Sequence, residues 1–171
     1  MAKLSAGVLM YRLRSEVLEV LIVHPGGPFW QRKDDGAWSI PKGEYDDGQD
    51  AFEHAKREFA EELGTDAPND TEYVSLGDVK QPSGKIVTCW AVSGSLDTSI
   101  VHSNTFEMEW PKGSGKMAEF PEVDKAAWFP AKTARQKLLK GHVPFVDRLV
   151  EHLRSTGIEI EEAPSPPPTL F

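Results

Sequence analysis

The stretch GEYDDGQDAFEHAKREFAEELGT, residues Gly43 to Thr65, decides how the rest of this chain is read. Phe52, Ala55, Phe59 and Leu63 recur at spacings of three and four, which predicts an amphipathic helix from Gln49 to Leu63, with Gly64 as its terminator. Eight acidic residues stand there against Lys56 and Arg57. At ~100° per residue, Glu58, Glu61 and Glu62 fall within about one third of the helix circumference, beside the apolar stripe. Like charges at these spacings weaken an isolated helix by ~0.2 to 0.5 kcal/mol per pair, so a compensating cation would stabilise it. Oxygen-only donors point to a hard ion, Mg²⁺ or Mn²⁺, of the kind held by one or two carboxylates, waters and substrate phosphates. Such an ion neutralises a diphosphate and activates water, so hydrolysis of a phosphoanhydride is the implied chemistry. A solvated surface is the competing reading of any acidic helix face, and charge alone favours it.

Outward from this segment, 171 residues fit a single domain, expected over 1–158, followed by an acidic, proline-rich tail over 159–171 expected to be disordered. Composition is ordinary for a globular protein, with 39% hydrophobic and 27% charged residues. The net charge of −8 argues against broad nucleic-acid binding, because no basic face of the needed size can be assembled. Cys89, the single cysteine, excludes an intrachain disulfide and a multi-cysteine zinc site, and its apolar surroundings from Ile86 to Val92 predict a buried thiol. With no apolar run approaching ~18 residues and no signal-peptide pattern, a soluble cytoplasmic protein without membrane attachment is expected.

Ser5 to Arg12 and Val17 to His24 read as paired strands, and Phe29 to Pro41 as a loop with a turn at Asp35-Gly36. After the helix, Tyr73 to Lys80, Lys85 to Ser93 and Ala126 to Phe129 read as strands, and Ala131 to Leu139 and Pro144 to Arg154 as closing helices. Leu96 to Val123 is longer than most structureless connections and reads as a functional loop.

Gly43, Arg57, Glu58, Phe59, Glu61, Glu62 and Gly64 resemble the Nudix box, G-x5-E-x7-R-E-U-x-E-E-x-G-U, where U is bulky and apolar. The resemblance extends in element order over roughly residues 5 to 153. It departs at Gln49, where the pattern has its first glutamate, and at Thr65, where it has an apolar residue. The resemblance implies an α/β (α+β) fold, a Nudix-type α/β/α sandwich with a mixed curved sheet and a loop-helix-loop carrying the site. It implies a Mg²⁺-dependent pyrophosphohydrolase (Mn²⁺ also possible) with Glu58, Glu61, Glu62 and the backbone carbonyl of Lys42 as metal ligands. Arg57 would hold the helix to its loop and orient a glutamate. Glu122 is the expected water-activating base, with Glu119 the runner-up, because a loop glutamate before an apolar strand serves the site in similar dinucleoside polyphosphate hydrolases.

The expected substrate is a nucleoside tri- or polyphosphate or a dinucleoside polyphosphate, with ADP-ribose or a nucleotide sugar as the alternative. A reading of another class, a catalytically impaired module that binds nucleotides or proteins, rests on Gln49, whose amide could accept a hydrogen bond or serve as a weak ligand. On that view, glutamate at position 49 raises metal affinity or rate. Trp38, Trp90 and Trp110 are candidate stacking surfaces for a base, with core packing the better reading of Trp90, and Lys42, Lys85, Lys112 and Lys116 are candidate phosphate contacts. His24 and His54 lack zinc-like partners and are assigned to no metal.

Overall fold

A computed structural model describes residues 3–166. Its strands are β1 (Leu4–Arg14), β2 (Val17–Pro25), β3 (Lys42–Tyr45), β4 (Tyr73–Lys80), β5 (Ile86–Ser93), β6 (Thr105–Glu109), β7 (Met117–Pro121) and β8 (Val123–Pro130). Its α-helices are α1 (Ala51–Leu63), α2 (Ala131–Lys137) and α3 (Val143–Ser155). The main sheet runs β4-β5-β1-β2-β8, with β3 added alongside β1. Only β1 and β5 pair in parallel, so the sheet is mixed as expected.

Alternation along β1 builds both layers of the sandwich. Ala6, Val8 and Met10 join Ala55, Phe59 and Leu63 of α1 in one core, whereas Leu9 joins Phe145, Val146 and Leu149 of α3 and Ala131 and Ala134 of α2 in the other. A central strand buried on both faces reads as a continuous apolar run, which is why β1 and β2 are legible in the sequence. Cys89 is fully buried in the α3-side core, and burial pushes its thiol up. No helix among the described residues is long and apolar enough to cross a membrane.

β1 divides its partners along one edge: Leu4 to Gly7 pair with β3 and Met10 to Arg14 with β2. Gly7 permits this fork, because a Cβ there would lie 2.5 Å from the Pro41 carbonyl oxygen. Lys42 and Gly43 are thereby seated beside the sheet's centre, against α1. The short strand Lys42–Tyr45 escapes sequence reading, since Lys-Gly-Glu-Tyr carries no apolar alternation.

Two expectations need correction. The segment 96–123 is not a structureless loop: β6 and β7 form a separate two-stranded ribbon within it. Nor does disorder begin at 159. Ile160 is buried, Leu18 donates its amide to the Glu161 carbonyl (2.9 Å), and Lys132 donates to that of Glu162 (2.9 Å). These backbone bonds and an Arg135–Glu162 ion pair bind residues 160–162 to the sheet's end, which composition cannot reveal. The expectation for 167–171 lies outside the described residues.

Candidate active site

Asp50 begins α1 by accepting a hydrogen bond from the Glu53 amide at 2.9 Å. Gly64 ends the helix in the left-handed conformation (φ 72°), and a side chain there would strike the His102 carbonyl. The last carbonyls of α1 are then used as anchors. His102 and Asn104 donate their amides to the Leu63 and Glu61 carbonyls (3.2 and 2.9 Å), and Glu122 donates its amide to Asn104 (2.9 Å). The buried Ser103 hydroxyl donates to the Val123 carbonyl (3.0 Å) and accepts from its amide (3.1 Å). This run of bonds fastens Glu122, far away in sequence, beside the C-terminal end of α1.

Glu62 is buried at 8% exposure. Desolvation foremost raises its carboxyl to about 8, with the charges of Glu58 and Glu122 adding to the rise, while the Lys42 ammonium and backbone amide oppose it. Glu58 is raised to about 7 by desolvation, then by Glu61 and Glu122, with Arg57 and Lys42 opposing. Glu122, exposed at the rim, is raised by partial desolvation and by Glu61. The four carboxylates therefore share one electrostatic neighbourhood. Among the described residues they do not yet converge at ligand distance as a preformed cluster of three. Glu58, Glu62 and Glu122 are each raised in part by another carboxylate of the group.

Gly43 forms a wall of that space, since a Cβ there would lie 2.1 Å from the Glu58 carboxyl carbon. His54, one turn earlier, approaches Glu58 at 3.3 Å. On the other flank, burial and then Lys85 hold the Lys42 ammonium below its usual range. Buried His142 is pushed down to about 3, first by desolvation and then by Lys42 and Lys85. Its neutral ring accepts from the Ile40 amide through Nδ1 at 3.3 Å, leaving Nε2 buried without a partner among the described residues.

The candidates named from sequence separate accordingly. Glu58, Glu61, Glu62, Glu122 and Lys42 come together. Glu119 lies on the ribbon opposite Glu107, outside the mutual couplings of this group. Arg57 is exposed and forms no salt bridge among the described residues, and its charge is one of those that lower the Glu58 carboxyl. Gln49 accepts a hydrogen bond from the Asp46 amide at 2.8 Å. It is exposed and stands before the helix, in the turn that leads to the Asp50 cap.

Trp38 is buried, edge-on to His24 and Phe129, with its indole N–H donated to Asp34 (2.8 Å), so it offers no face to a base. Trp90 packs against Phe52, while Trp110 is exposed. His24 bridges Asp124 and the Lys33 carbonyl (2.8 and 2.5 Å) as a structural clasp. Sequence reading does not single out His142 or the exposed Phe29; the run Gly-Gly-Pro-Phe-Trp was the available signal for the second.

Fold and family together support a hydrolase acting on phosphoanhydride bonds. The NUDIX domain model matches residues 1–152, and the chain belongs to that family. Among solved structures it is similar to a Caenorhabditis elegans Ap4A hydrolase in a binary complex, with 18% identity, TM-score 0.62, 88% of this chain and 98% of that one covered. It is also similar to the NUDIX domain of Shewanella oneidensis NrtR complexed with ADP ribose (18%, TM-score 0.57, 90% and 89% covered). A third is a mutT/nudix family protein from Listeria innocua (14%, TM-score 0.59, 91% and 96% covered). Among curated proteins no sequence matches this chain.

Proposed function

We propose that the protein hydrolyses a phosphoanhydride bond of a nucleoside tri- or polyphosphate or dinucleoside polyphosphate, with Mg²⁺ as the cofactor and water as the nucleophile. The observation that carries this reading is the gathering of Glu58, Glu62 and Glu122 where helix, Gly43 and the anchored loop meet, each carboxyl raised first by desolvation and then by a neighbouring carboxylate. Folding gathers charges that raise one another, beside a glycine that leaves them room, and a divalent cation is the group that offsets the cost. The donor set, oxygen throughout, fits Mg²⁺ or Mn²⁺ and does not fit zinc.

Glu58, Glu61, Glu62 and the Lys42 carbonyl would hold the cation, which, when bound, neutralises the diphosphate and makes phosphorus more electrophilic. Glu122 takes the proton of the attacking water, for which a raised carboxyl at the rim is suited. Lys42 and Lys85 set up the positive field that meets the flanking phosphates, and burial together with that field holds His142 neutral behind them. Arg57 tunes Glu58 through its charge. A cytoplasmic site of action goes with the single buried, free Cys89.

The alternative substrate class, ADP-ribose or a nucleotide sugar, has support in the NrtR domain's bound ligand. The impaired-module reading rests on Gln49, and nucleotide binding without cleavage by the folded protein would favour it. The test is incubation of purified protein with Mg²⁺ and a panel of nucleoside polyphosphates, dinucleoside polyphosphates and ADP-ribose in ¹⁸O-water. Cleavage of a polyphosphate with label on one phosphate product is expected, and absence of cleavage across the panel rejects the proposal.

A further inference from the structure

Phe29, at 60% exposure, and Trp110, at 38%, meet edge to face with ring centroids 5.9 Å apart. Two elements distant in sequence cooperate to make this contact. Phe106, Met108 and Trp110 alternate onto the face of the ribbon that turns to Gly27 and Phe29, while Glu107 and Glu109 take the other face. The fit between loop and ribbon leaves no slack: a Cβ at Gly26 would fall 1.9 Å from the Pro121 carbonyl oxygen, and one at Gly27 (φ 97°) 3.0 Å from the Phe106 ring. The loop is also bonded to the base itself, since Gly26 donates its amide to the Glu122 carbonyl at 3.0 Å.

Folding this chain does not require two large rings to meet in water, where their exposed faces gain nothing from burial. Their arrangement forms a corner, interplanar angle 74°, in which a flat ring laid on one face meets the other ring at its side. Trp110 stands at the ribbon's far end, and Met117 to Glu122 spans about 16 Å at ~3.3 Å per residue. That interval suits a ribose and a short polyphosphate chain running from the corner to the carboxylates. The basic residues Lys33, Lys112 and Lys116 lie on the same loop and ribbon tip, and the Lys33 ammonium already sits 5.0 Å over the Trp30 ring.

We infer that the Phe29–Trp110 corner is the nucleobase subsite, holding by stacking the base of a substrate whose phosphates reach Glu122 and the α1 carboxylates. This deepens the function proposed above and rests on it for the position of the phosphates. It makes the site selective for substrates whose base lies a polyphosphate's length from the attacked phosphorus. Recognition by stacking discriminates weakly among bases, because each presents a similar face.

Calorimetric titration of the wild type and the Phe29→Ala/Trp110→Ala double variant, in Ca²⁺ with ATP and with inorganic tripolyphosphate, tests the assignment. The wild type is expected to bind ATP about ten-fold or more tightly than tripolyphosphate, and the double variant to lose most of that preference. Trp110→Phe is expected to retain much of it, and a thermal melt verifies that each variant is folded. An unchanged preference in the folded double variant, or no preference in the wild type, overturns the subsite. The two proposals fail separately. Cleavage of polyphosphates with an unaltered preference sinks the subsite alone, and loss of preference in a protein that cleaves nothing sinks the hydrolase alone.

Discussion

Replacing Glu62 with glutamine is expected to strengthen the metal-free fold at alkaline pH while abolishing turnover. Glu62 has its carboxyl raised from 4.5 to about 8 in the folded protein, so between those values the native state binds a proton that the unfolded chain has released. Stability of the wild type therefore falls as pH rises from 4.5 to about 8 and is level beyond. At about 1.4 kcal/mol per unit, the deprotonated carboxylate costs on the order of 5 kcal/mol, a large part of an ordinary domain's stability. Glutamine has the same shape, can still accept from the Lys42 amide, and carries no charge to desolvate. Urea unfolding in EDTA at pH 4.5 and pH 9 measures the difference. The two proteins should be near parity at the acidic end, and the variant should lead by several kcal/mol at the alkaline end. Adding Mg²⁺ at pH 9 should then stabilise the wild type by mass action and the variant, which keeps Glu58 and Glu61, much less. A variant no more stable than the wild type at pH 9 would refute the claim that Glu62 is a strained anion awaiting a cation.

Glu122→Gln is expected to lower kcat by about a hundred-fold or more while Mg²⁺ affinity, followed by calorimetry, changes little; a variant with wild-type kcat removes Glu122 from the role of base. Gly43→Ala forces the Glu58 carboxylate aside, with an expected loss of roughly 1 to 3 kcal/mol from overpacking and a steep fall in kcat; urea unfolding and steady-state rates check both. Gln49→Glu is expected to change neither Mg²⁺ affinity nor kcat by more than about two-fold, because glutamate keeps the acceptor that the Asp46 amide uses in the turn ahead of the helix. A ten-fold gain in either would mean that residue 49 reaches the metal after all.

What the sequence discloses and what it withholds divide along physical lines. α1 is legible because its apolar stripe, its Asp50 cap and its Gly64 stop all act within a few residues of one another, and β1 and β2 because burial on both faces leaves an unbroken apolar run. The carboxylates of the helix follow from the same periodicity. Glu122 is a different case: what brings it to the helix is a relay of backbone bonds through Asn104 and a buried serine clasp, made by groups every residue possesses. The resemblance to a family supplied the residue, where spacing could not. The β6–β7 ribbon stays hidden for another reason. Its alternation is short and mixed with Gly, Pro and Lys, and its apolar face becomes meaningful only once Gly26 and Gly27 admit it. Gln49 reads from the motif as a missing carboxylate, and the structure gives its side chain a local task, accepting from the Asp46 amide in the turn before α1. Roles set by local periodicity can thus be read directly, whereas roles set by non-local contact need either a relative or a structure. The corner of Phe29 and Trp110 draws on both kinds: Trp110 is a stacking candidate from the sequence, and only non-local contact gives it Phe29 as a partner.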